Sequence, residues 1–127
     1  MLIQVPSSRP LDEIGRAIEE AAIKRNFGVI ATHDLQETMK RKGVEMDMEC
    51  RIYEVCNPLQ AKRVLEADGS ISTALPCRIS VYGKPGAYTI ASMLPTEMMK
   101  AFPVPEIEPV AREVEDVIKG IVTEAAG

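Results

Sequence analysis

The sequence predicts an α+β fold: a mainly antiparallel sheet of about five strands, helices packed on one face, and a long helix at the C-terminus. Three observations carry that expectation. Residues alternate apolar and polar from Met46 to Val55 and again from Leu75 to Val81. Such a period of two marks half-buried strands, and a sheet with one wet side is commonly antiparallel. Apolar residues recur at helical spacing in two stretches, Leu11 to Ala22 and Ile107 to Val122. Between the later strand-like runs lies Gly83-Lys84-Pro85-Gly86, a tight turn that makes them a hairpin.

The elements follow in order. The first five residues read as a short strand, and Ser7-Ser8-Arg9-Pro10 opens a helix. Ser8 can cap it, Pro10 suits its first turn, and Asp12 and Glu13 complement the helix dipole. Leu11, Ile14, Ile18, Ala21 and Ala22 share one face, and Lys24-Arg25-Asn26 ends the helix. Phe27 to Thr32 is a strand. The helix in "HDLQETMKRKG" has Asp34 and Glu37 as an Asp-x-x-Glu capping pair and Gly43 as its C-terminal stop. In the strand that follows, Met46, Met48, Cys50 and Ile52 are expected on one side, and Asp47, Glu49 and Arg51 on the other. Asn57-Pro58 starts a third helix, with Asn57 as cap and Leu59, Ala61 and Leu65 as its expected inner residues. Asp68-Gly69 stops it. The connector "FPVPEIEP" leads to a last helix so apolar on one face that it must dock on the remainder, making one domain of residues 1–127.

Bulk properties narrow the function. The chain has 127 residues, enough for a substantial core. Fifteen basic residues face nineteen acidic ones, for a net charge of −4. The basic residues are scattered, which argues against nucleic acid and against anionic lipid as partners. No run is long enough to span a membrane, and "MLIQVPSSRP" lacks the pattern of a secretory signal, so a cytoplasmic protein is expected. Three cysteines without a Cys-x-x-Cys spacing read as free thiols rather than a disulfide framework or a metal site.

At these residues the chain resembles a known family. "FGVIATHDLQETMKRKG", "YEVCNPLQAKRVLEADGSISTALPCRISVY" and "ASMLPTEMM" are similar to the domain of unknown function 302 family, with Cys56-Asn57-Pro58 and Leu75-Pro76-Cys77-Arg78 as its most recognisable marks. The similarity spans roughly Leu11 to Glu124. One departure is Asn26, where a glycine is expected before Phe27. The resemblance implies a small protein with a curved antiparallel sheet in the order strand, helix, four strands, helix, an arrangement compared with the TATA-binding-protein-like fold. It implies dimers in some members, and it implies no established activity and no catalytic residue. A likeness of fold does not import DNA binding.

The candidate chemistry centres on two thiols. Cys56 directly precedes the Asn57 cap, where helix amides can stabilise a thiolate or an anion. The plainer account is a small side chain filling space between strand and helix. Cys77 shares a strand face with Leu75, Ile79 and Val81 and is expected in the core, while Arg78 points to the other face. If the two strands are antiparallel neighbours, Cys56 and Cys77 lie toward one edge of the sheet. If they are parallel, the thiols lie far apart; the family resemblance favours the first. Cys50 is about 20 Å along the strand from Cys56 and is a poor partner. His33, the single histidine, sits beside the Asp34 cap with no second ligand or fixed carboxylate evident. The stripe Met46, Met48 and Cys50 and the later cluster Met93, Met98 and Met99 raise a Cu(I) site, although apolar packing explains them more simply.

The resulting expectation is a small binding or accessory domain, homodimeric, with a small-molecule ligand between the sheet edge and the helix that starts at Asn57. Its candidate ligand residues are Cys56, Asn57 and Cys77, with Arg78 and His33 as weaker ones. No cofactor or metal is expected. Two alternatives stay open: a thiol-redox protein with Cys56 as nucleophile and Cys77 as resolving thiol, and a purely structural dimer module.

Overall fold

A computed structural model describes residues 2–127. The long elements keep the expected order: β1 (Leu2–Ser7), α1 (Leu11–Lys24), β2 (Gly28–Asp34), a short α2 (Leu35–Arg41), β3 (Glu49–Cys56), α3 (Pro58–Ala67), β4 (Cys77–Lys84), β5 (Ala87–Met93), a single-turn α4 (Pro95–Met98) and α5 (Glu108–Ala126). The strands form one sheet in the order β1-β5-β4-β3-β2, and every neighbouring pair is antiparallel.

The core lies on one face of this sheet. Ile14 and Ile18 of α1 and Ile118, Ile121 and Val122 of α5 pack against Tyr53, Val55, Ile79, Val81 and Ile90. All of these are at most 3% exposed. Burying each such isoleucine contributes about 1.5–3 kcal/mol, and this holds the two long helices to the sheet. The stripes on α1 and α5 explain the arrangement, since neither helix can leave its apolar face in water.

Polar contacts fix the element ends. Asp34 accepts a hydrogen bond from the Glu37 amide at 3.0 Å, as its capping pattern indicates. Asn26 takes a φ of 63°, and the Phe27 amide turns back to the Ala22 carbonyl at 2.9 Å. Asparagine tolerates this left-handed bend better than most residues, so it serves in place of glycine. Gly83, at φ 136°, needs its missing side chain for a second reason: a Cβ there would collide with the Ala87 carbonyl across the hairpin.

Several local expectations are corrected. No side chain caps α1, which begins at Leu11 after Pro10. Ser7, rather than Ser8, is engaged: its hydroxyl accepts from the Arg9 amide and donates to the Ala126 carbonyl at 2.9 Å. β3 starts at Glu49, so Met46 and Met48 precede it. Its inner side is also the opposite of the one expected. Tyr53 and Val55 enter the core, while Cys50, Ile52 and Glu54 alternate onto the other side. Polar groups on the inner side are satisfied: Arg51 bonds Asp12 at 2.7 Å, and Tyr88 donates to Glu49 at 2.6 Å. On α3, which starts at the expected Asn57 cap, Leu59 is 75% exposed and Val64 is the buried residue, because Val64 is the one that packs against Ile71, Ile107 and Val110.

Candidate functional site: an apolar cavity beside Cys56 and Cys77

The antiparallel ladder of β3 and β4 sets Val55 opposite Cys77, so Cys56 lies one residue beyond that pair. There the chain leaves the sheet. Asn57 Oδ1 accepts from the amides of Leu59 and Gln60 at 3.0 and 3.1 Å, and Pro58 occupies the first turn of α3. The other end of the same amide, Asn57 Nδ2, donates to the Asn26 carbonyl at 3.0 Å. One side chain thus caps α3 and ties its start to the bend after α1.

A second apolar cluster fills the far side of this region. Val64 of α3, Ile71 of the 3-10 turn over Gly69–Ala74, and Ile107 and Val110 around the start of α5 pack together. Between this cluster and the main core lies a cavity of about 320 Å³. Val55 at the end of β3, Ala61 and Val64 of α3, Leu75 ahead of β4, and Val110 and Val114 of α5 form its walls. Ile30 and Leu65 also line it and are 61% and 36% exposed, so apolar side chains reach from the cavity to the surface. Among the described residues, no charged side chain lines it. Concave, apolar spaces with a few polar groups are the usual form of small-molecule sites, and this volume falls at the small end of their range.

The structure brings Cys56, Asn57 and Cys77 together on this cavity's wall. All three cysteines are free. Burial pushes the Cys56 thiol up from its ordinary value. Burial, followed by the nearby charge of Cys56, pushes Cys77 up to about 11. Both thiols are therefore protonated at neutral pH, which suits a weakly polar wall and not a nucleophile.

Arg78 and His33 lie elsewhere, and they share a partner. Glu54, with its side chain only 13% exposed, sits 3.2 Å from His33 Nε2 and 3.4 Å from Arg78 Nε. The register explains this: Glu54 is opposite Arg78 on β4, and His33 is opposite Ile52 on β3. Arg78 also lines a second cleft of about 190 Å³ with Thr73, Ser92 and Met93. Leu75, Pro76 and Met98 belong to both spaces.

Two residues of interest had no clear signal in the sequence. Gln60 lines the cavity, donates to Glu113 through Nε2 at 3.0 Å, and leaves its buried Oε1 without a partner. Glu54 gathers both weaker candidates, yet it reads in the sequence as an ordinary acid on a strand. Met98 and Met99 line the cavity, whereas Met93 is 48% exposed. Among the described residues, no three His, Cys, Asp or Glu side chains converge as a metal site would need, and no helix is long and apolar enough to cross a membrane.

Comparison with known proteins agrees with this architecture. The sequence pattern of the family described as domain of unknown function DUF302 matches residues 3–125. An uncharacterised conserved DUF302 protein from Bacillus stearothermophilus has a crystal structure that superposes with a TM-score of 0.90 at 27% identity, covering 98% of this chain and 97% of that one. No curated protein matches the sequence. The match over nearly the whole length, together with the shared fold, makes this chain a member of the DUF302 family, a family of unknown function.

Proposed function

We propose that this chain is a small-molecule binding domain whose ligand places an apolar body in the cavity between α3, α5 and the ends of β3 and β4. The carrying observation is the cavity itself: about 320 Å³ of space, walled by apolar side chains in a chain short of room for idle volume. A partly open apolar hollow leaves its walls against water, and a ligand with an apolar body would remove that surface from water. Cys56, Asn57 and Cys77 line the site, Asn57 by fixing α3 and the thiols as soft, neutral wall atoms. The raised thiol pKa values favour binding over thiol-redox chemistry, since a nucleophile needs the thiolate. A cytoplasmic, homodimeric protein fits this reading. Free thiols persist in a reducing compartment, and β1 and β2 each leave one strand edge unpaired within the chain.

The test is titration with N-phenyl-1-naphthylamine, a neutral dye that brightens in apolar surroundings. One saturable site per chain is expected. It should be lost in Ala61→Phe, which fills the cavity from a half-buried position on α3, while circular dichroism stays unchanged. A folded wild-type chain with no saturable site would overturn the proposal.

A further inference from the structure

The cavity and the Arg78 cleft share one wall. Leu75, Pro76 and Met98 line both, and all three are only half-buried. Methionine is unbranched and adapts to its surroundings, so the Met98 side of this wall can move at low cost. Among the described residues, one space has no charged lining residue, and the other is lined by one charged side chain, that of Arg78. We infer that the natural ligand is a single-chain amphiphile, with its apolar tail in the cavity and a carboxylate-type head on the Arg78 guanidinium. This rests on the cavity being the ligand site and adds the class of molecule it takes.

The electrostatics agree. A charged head deep in the cavity would lose its hydration among side chains that carry no charge, whereas the neighbouring cleft offers a head the Arg78 guanidinium. Arg78 is 66% exposed, and its closest acid is Glu54, at 3.4 Å from Nε. A guanidinium carries five donors and can take a carboxylate through two of them at once. Arg78 is the exposed partner of this pair and Glu54 the sheltered one, and Glu54 also has His33 at 3.2 Å, so Arg78 can turn its free donors toward a ligand while Glu54 keeps a neighbour. Glu54 competes with the ligand for Arg78, and this gives the model of binding a sign that can be checked.

The experiment is calorimetric titration at pH 8 and low salt with decanoate and with decanol, which share a tail and differ in the head. The wild-type chain should bind decanoate more tightly than decanol. Arg78→Gln should weaken decanoate about tenfold and leave decanol unchanged. Glu54→Gln should strengthen decanoate severalfold, again without effect on decanol. Equal binding of the two by the wild type, or no loss in Arg78→Gln, would overturn the inference while leaving the cavity as a site for apolar ligands. Binding of neither would remove the cavity reading as well.

Discussion

Removing the Cys77 thiol should flatten the alkaline end of the stability profile. Cys77 is 8% exposed, and burial lifts its pKa from 9.0 to about 11. A group with a raised folded pKa leaves stability intact below its unfolded value and erodes it as pH rises toward the folded one. Here that window runs from about pH 9 to pH 11. A shift of about two units corresponds to a total loss of roughly 3 kcal/mol, of which roughly 2 kcal/mol is gone by pH 10.5. Tyr53 and Tyr88 also have raised values, Tyr88 to about 12 through burial and its bond to Glu49, so the wild-type slope alone is ambiguous. The comparison with Cys77→Ala isolates the thiol. Urea unfolding of both proteins at pH 8 and pH 10.5, under reductant, should give a difference between them that shrinks by roughly 2 kcal/mol at the higher pH. Equal pH dependence in the two would show that Cys77 ionises freely in the folded chain. That would refute its assignment to a dry wall.

Other perturbations test the frame around the site. Asn57→Ala should cost about 1–2 kcal/mol in urea unfolding, because it removes both the α3 cap and the tie to Asn26, and Asn57→Asp should recover the capping part. Gly15→Ala should destabilise despite a better helix propensity, since its Cβ would sit 2.5 Å from the Tyr53 hydroxyl; thermal melts should show the penalty relieved in Tyr53→Phe. Burial alone would raise the Glu115 pKa, but the Thr96 hydroxyl and amide and Lys119 outweigh it and hold the carboxyl below its usual 4.5. The stability this provides is present above pH 4.5 and lost as pH falls through the folded value, so Thr96→Val should weaken the acid dependence of melting.

Much of this was legible in the sequence where one local rule dominates. The α1 stripe has a single apolar face, so Leu11, Ile14, Ile18, Ala21 and Ala22 could only point inward, and all are buried. Asn57-Pro58 carries its own hydrogen-bonding logic and caps α3 as read. At β3 the sequence misleads, because its alternation changes phase midway. Cys50 and Ile52 are apolar on one side, Tyr53 and Val55 on the other, and only the helices packing above decide between them. α3 misled for a similar reason: it presents a single buried residue, Val64, and its leucines lie outward or at the cavity's rim. The cavity itself has no sequence signature. Its walls come from residues as far apart as Phe27 and Val114, and a void is a property of how elements fail to meet. The meeting of Cys56 and Cys77 hung on strand direction, which the antiparallel ladder supplied.

The most direct measurement is a two-dimensional amide NMR titration of the isotopically labelled chain with decanol, which tests for tail binding whatever the head prefers. If the cavity is the ligand site, saturable shifts should gather at Cys56, Gln60, Val64, Cys77 and Val110, which line it on four different elements. Saturable shifts confined to the opposite side of the sheet, around Cys50, Ile52 and Ser80, or no saturable shift at all, would contradict it.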